Sequence, residues 1–158
     1  MATPRTLHPQ HLADTVGREF YRHDVAAQAM GITLTAIGPG TAEFVMAVRE
    51  DMLNSHGICH GGFVFTLADT AFAYACNARN RRAVAQSCTI TYLQPAAAGS
   101  RLVARCTEVA SSGRSGIYDT TVTDDGGTKI AVFRGQSREI KGTILDAGPD
   151  SVPDEKKL

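Results

Sequence analysis

The chain has 158 residues, 43% of them hydrophobic and 20% charged, which fits one globular domain large enough to bury a core. Sixteen basic residues balance sixteen acidic ones, so no global field points to nucleic acid or an anionic membrane surface. Any anionic ligand has to be held by local groups.

No apolar run approaches the roughly 20 residues that span a bilayer, and the opening residues MATPRTLHPQHL hold no apolar signal core. Cys59, Cys76, Cys88 and Cys106 are scattered, with no zinc-type spacing. The expectation is a cytoplasmic protein with reduced thiols, no membrane span and no nucleic-acid partner.

Residues 8–28 carry Leu12, Val16, Phe20 and Ala27 at near-helical spacing and predict one or two short helices. ITLTAI and TAEFVMAV flank Gly38-Pro39-Gly40 and read as a hairpin. Residues 49–60 match neither period and read as a loop. From Gly61 to about Ala78 the segment GGFVFTLADTAFAYACNA is too long and alanine-rich for a strand and is apolar on almost every face. Such a pattern predicts a buried helix, ending near Asn77–Asn80.

Strand signals then return. AVAQSCTITYLQPA alternates before Pro95, RLVARCTEVA follows the turn AAAGS, and SSGRS makes another turn. GIYDTTVTD leads to the hairpin signal Asp125-Gly126-Gly127, and TKIAVFRGQSREI closes the set. The predicted order is helix, two strands, one long buried helix, then four strands in a meander. One antiparallel sheet wrapped on one apolar helix is an α+β fold. Residues 1–29 form an N-terminal helical segment, 30–140 the domain, and 141–158 a flexible tail rich in glycine, proline and charge.

Asp69 does not belong in its surroundings. It sits mid-helix between Leu67, Ala68, Ala71 and Phe72, where an ionised carboxylate costs several kcal/mol unless hydrogen-bonded. Folding gives no reason to keep an acid there, which points to function; the bland alternative is a narrow polar stripe or a subunit surface. Gly61 and Gly62 open the same helix and leave bare N–H groups at the positive end of its dipole. That arrangement suits an anion, or a carbonyl oxygen turning negative during acyl transfer; the alternative is a tight loop-to-helix turn.

Gly61 and Asp69 are eight residues apart, or roughly 12 Å along a helix. A reacting carbon has to lie about 3 Å from each. If both serve one substrate, the helix start of one subunit must meet Asp69 of another, which implies a symmetric dimer with two composite sites.

Other features carry weaker signals. His56 and His60 are four apart around Cys59, but the neighbouring glycines argue against a continuous helix and no carboxylate lies nearby, so no metal site is expected. Cys59 reads as a loop anchor as readily as a nucleophile. Ser111-Ser112-Gly113-Arg114-Ser115 is a donor-rich turn that suits a phosphate or a solvated hairpin end. Phe63, Phe65, Phe72 and Tyr74 could line an aryl pocket or fill the core.

The stretch Asn54-Ser-His-Gly-Ile-Cys-His60-Gly61-Gly62, followed by LADTAFAYACN, resembles the hot-dog-fold acyl-CoA thioesterases of the phenylacetate-pathway (PaaI-type) group. SCTITYLQPA, SSGRSGIYD and AVFRGQS extend the likeness from about Met30 to Lys141. The resemblance implies a sheet wrapped around a central helix, a homodimer, and dimers paired into a homotetramer. It implies hydrolysis of acyl-CoA, of aryl-acetyl type, with no cofactor beyond the coenzyme A of the substrate.

By that likeness Asp69 is the general base or nucleophile and the Gly61 N–H the oxyanion donor. Asn54 and His60 orient the thioester or the water. Ser87 falls where relatives often carry a hydroxyl near the attacked carbon, Thr70 joins it in substrate binding beside Asp69, and Ser112, Gly113 and Arg114 lie near the nucleotide end of coenzyme A. Two other readings stay open from the sequence: an acyl-CoA hydratase or dehydratase on the same fold, and a non-catalytic acyl-CoA-binding module. A basic helix or extra domain, which a regulatory module would use to reach DNA, is missing from the pattern.

Overall fold

The computed structural model describes residues 8–145. In chain order these form α1 (Pro9–Arg22), α2 (Val25–Ala29), β1 (Thr33–Gly38), β2 (Thr41–Ala47), a 3₁₀ turn (Glu50–Met52), α3 (Gly61–Asn77), β3 (Ala83–Tyr92), β4 (Arg101–Ser112), β5 (Ser115–Thr123) and β6 (Lys129–Glu139). Each follows from its residues. α1 starts at Pro9, whose missing N–H costs nothing in a first turn, behind the His8 ring, which accepts from Gln10 N–H. The β1–β2 turn closes on Gly40 in the left-handed region, and Gly113 does the same between β4 and β5.

All six strands are antiparallel in one sheet, in the order β1-β2-β4-β5-β6-β3. The four-strand meander expected after the helix is therefore only three strands, β4-β5-β6. β3 pairs with β6 and not with β4, which lies beside β2 instead. The reason lies in α3: its seventeen residues extend about 25 Å, enough to cross the four strand spacings of about 4.8 Å that separate β2 from β3. Local alternation along a strand carries no information about that crossing.

α3 packs against the sheet and contacts every strand. Leu67, Ala68, Ala71 and Phe72 are buried against Phe44, Met46, Leu102, Val122 and Phe133. Each large apolar side chain buried this way contributes about 1.5–3 kcal/mol. Close approach is possible because β6 has no side chain at Gly135: a Cβ there would lie 2.7 Å from the Phe72 ring.

The two sheet edges differ. β1 is screened by α1, whose Gln10 side chain donates to the Ile37 carbonyl at 2.6 Å, while Tyr21 Oη donates to the Ile32 carbonyl just before the strand. β3, ten residues long and without a charged side chain, has no neighbour beyond it among the described residues. The segment read as a tail falls largely outside the described residues. Its first part is anchored: the Asn80 side chain accepts from Ile144 and Leu145 N–H.

Candidate active site

α3 begins at His60, the N-cap, whose ring Nδ1 accepts from Gly62 N–H at 2.9 Å. That bond assigns the ring proton to Nε2, so His60 presents a donor to the exterior. Phe63 N–H is satisfied by the His60 carbonyl. Gly61 N–H has no acceptor among the described residues, and so remains a free donor at the positive end of a seventeen-residue helix.

The loop ahead of the helix is held by Asn54. Its Oδ1 accepts from His56 and Ile58 N–H, and its backbone bonds to Ile58 and Gly57 close the turn through Gly57 in the left-handed region. With Oδ1 occupied, the Asn54 amide NH₂ is left to donate outward. Asn54 and Gly61 line one pocket with Ile58, Val64, Tyr92 and Ile130. Tyr92 reaches across from the end of β3, its Oη donating to the Gly61 carbonyl at 2.9 Å.

Asp69 is not part of that pocket. It lies two turns along α3 on a half-covered stripe with Phe65, Thr66 and Ala73, whereas Val64, Leu67, Ala68, Ala71 and Phe72 are buried. Most of the helix is buried, as its apolar pattern predicts, and Asp69 lies at the centre of the narrow, half-open stripe that the sequence left open as an alternative. Burial pushes the Asp69 carboxyl above its ordinary range, and a hydrogen bond from the Cys88 thiol at 3.8 Å offsets part of that shift. Among the described residues, no cation contributes to its environment.

The remaining candidates separate. Ser87 is exposed on β3, and strand alternation turns it away from Cys88, onto the outer face with Thr89 and Thr91. Thr70 is buried, its hydroxyl committed to the Thr66 carbonyl at 2.7 Å. Ser112, Gly113 and Arg114 form the β4–β5 hairpin tip, where Arg114 Nε donates to the Glu139 carbonyl. Gly113 lines a polar cleft with Cys76, Arg79, Ser111 and Ser115, separate from the pocket of Gly61, whereas Ser112 and Arg114 line neither. Phe72 and Tyr74 are core, whereas Phe63 and Phe65 remain partly open.

Sequence reasoning missed Cys88 and Tyr92. The signal was present in AVAQSCTITY, where Cys88, Ile90 and Tyr92 fall on one face and Ser87, Thr89 and Thr91 on the other. Chemically, the arrangement offers donors on one patch (Gly61, Asn54, His60) and a lone carboxylate on another.

Comparison with known proteins agrees with this architecture. Residues 56–131 match the family model of the thioesterase superfamily. The acyl-coenzyme A thioesterase PaaI of Escherichia coli is 42% identical over 134 residues, which cover 85% of this chain and 96% of that protein. The structure of E. coli PaaI, from its phenylacetic acid degradation operon, superposes with a TM-score of 0.85 at 40% identity, covering 86% of this chain and 99% of that one. A mutant of the phenylacetic acid degradation protein PaaI from Thermus thermophilus gives a TM-score of 0.70 at 40% identity, covering 73% of this chain and 98% of that one. The chain belongs to the hot-dog-fold thioesterase superfamily, in its PaaI-type group of acyl-coenzyme A thioesterases.

Proposed function

We propose that this enzyme hydrolyses aryl-acetyl-CoA thioesters, phenylacetyl-CoA or a hydroxylated phenylacetyl-CoA, in a site shared between two subunits. The observation that carries the shared site is the separation of Gly61 and Asn54 from Asp69: one pocket holds the donors without the carboxylate. The uncharged, open edge of β3 supports the dimer, since an unprotected strand of this length is a template for pairing with a second copy. The half-open stripe of α3 around Asp69 would then face the partner. The further step to a homotetramer rests on the family likeness.

In this reading the Gly61 N–H, backed by the helix dipole, receives the thioester oxygen. Asn54 and His60 donate to the thioester or orient the water. Asp69 of the other subunit takes a proton from water, whose oxygen adds to the carbonyl carbon; collapse of the tetrahedral oxyanion breaks the C–S bond, and the proton passes to the coenzyme A sulfur. As a nucleophile, Asp69 would instead add to the carbonyl carbon and expel the coenzyme A thiolate, leaving a mixed anhydride that water cleaves to the free acid and the Asp69 carboxylate, with the released proton passing to the thiolate. Either route needs no cofactor beyond coenzyme A itself. Partly open Phe63 and Phe65 favour an aryl group, and Arg114 at the hairpin tip suits a nucleotide phosphate. Ser87 and Thr70 are weaker candidates for substrate contact, since one faces outward and the other is bonded within its helix. The four free thiols support a reducing, cytoplasmic setting.

The test is thiol release from a panel of acyl-CoAs by wild type and Asp69→Ala. Rapid cleavage of aryl-acetyl-CoAs over straight-chain ones, lost in the variant, supports both substrate and mechanism. Equal rates across the panel would reject the aryl preference.

A further inference from the structure

We infer that Cys88 is a positioning residue for Asp69: its thiol holds Oδ1 and leaves Oδ2 as the oxygen aimed at the substrate. This rests on the proposed role of Asp69 as the catalytic carboxylate. Cys88 sits on β3 with its side chain toward α3, and its Sγ lies 3.8 Å from Asp69 Oδ1. Register on β3 shifts between Ala85 and Ser87, and past that irregularity Cys88 and Ile90 pack toward the core, whereas Thr89 and Thr91 face out. The thiol therefore reaches a carboxylate that no serine on this strand faces.

Three features make the contact specific. Asp69 has no other hydrogen-bond donor among the described residues, although carboxylates elsewhere in the chain pair with arginine, as Glu108 does with Arg79 and Asp119 with Arg134. Cys88 remains a donor at neutral pH, because burial, followed by the Asp69 charge and hydrogen bond, pushes its thiol up to about 11. A weak, uncharged donor orients a carboxylate without quenching it, as an arginine would. The ionisable groups coupled to Asp69 are Cys88 from β3 and, along α3 itself, Cys76; no ionisable group of β4, β5 or β6 acts on it.

The test compares pH–rate profiles of wild type, Cys88→Ser, Cys88→Ala and Cys88→Val, with Asp69→Asn alongside. Cys88→Ser, which keeps a donor, retains kcat within about threefold and the acid limb of kcat/KM in place. Cys88→Ala and Cys88→Val lower kcat about tenfold with KM little changed, and move the acid limb up by about half a pH unit, because the ionised form has lost its donor. Valine fills the site and suits a strand, so a defect shared by both variants is not a packing defect. Wild-type kcat and an unmoved acid limb in either non-donor variant would overturn the inference while the Asp69 reading stands. Full activity of Asp69→Asn would overturn that reading itself.

Discussion

Tyr92 and Gly61 are in direct contact: the phenol donates to the Gly61 carbonyl, and a Cβ on Gly61 would lie 2.9 Å from the ring carbon that bears the hydroxyl. One face of this glycine is thus occupied by a ring, while its N–H stays free. Tyr92 is half exposed and has room to swing away. Gly61→Ala is therefore expected to fold, with a Tm within a few degrees of wild type, while kcat falls about 10- to 100-fold as the donor loses its fixed orientation. Steady-state kinetics and a melting curve on one preparation check both halves.

Asp69 should cost stability where it is ionised. Its carboxyl is raised, mainly by burial, so the favourable neutral form is present below the ordinary carboxylate range. That contribution is lost as pH rises through the folded-state value. Asp69→Asn is expected to be inactive yet more stable at pH 7 by about 1 kcal/mol, with the difference vanishing toward pH 4. Denaturant titrations of both proteins at several pH values measure it.

The opposite sign holds at Glu108. Burial raises its carboxyl, but hydrogen bonds from Arg79 at 2.6 Å and Tyr118 at 2.8 Å outweigh that and hold it below its usual value. Its contribution is present at neutral pH and lost as pH falls through the lowered value. Glu108→Gln is expected to cost about 1 kcal/mol at pH 7, a modest figure because the pair is partly open to solvent, and little in acid. Activity should be kept.

Gly135 tests the packing of α3. A methyl there would meet a fully buried Phe72, which is itself wedged against Tyr118 and Phe133. With no room to yield, Gly135→Ala should destabilise by about 1–3 kcal/mol, read from the denaturation midpoint.

Much of this architecture was legible in the sequence. The helix over GGFVFTLADTAFAYACN stood out because seventeen largely apolar residues with alanines at close spacing fit no strand, and Asp69 stood out against them. Strand alternation located every strand. It could not say that β3 lies beside β6, because pairing depends on where α3 delivers the chain. Gly61 was found from the bare N–H at the helix start and Asn54 as a member of a motif, but the His60 cap, the Asn54-braced loop and the thiol on Asp69 are matters of side-chain direction. Ser87 illustrates the gap: it is exposed, one position from Cys88, and strand alternation turns it from the side on which Cys88 meets Asp69.

The shared site is tested most directly by mixing two impaired variants, Asp69→Asn and Gly61→Ala, after dissociation and reassembly. Each alone spoils both sites of the proposed dimer. In a mixed dimer, one site receives intact Gly61 from one chain and intact Asp69 from the other, so random reassembly restores about a quarter of wild-type thioesterase activity. No recovery, with mixed dimers demonstrably formed, would mean that each site draws Gly61 and Asp69 from the same chain, and would contradict the account.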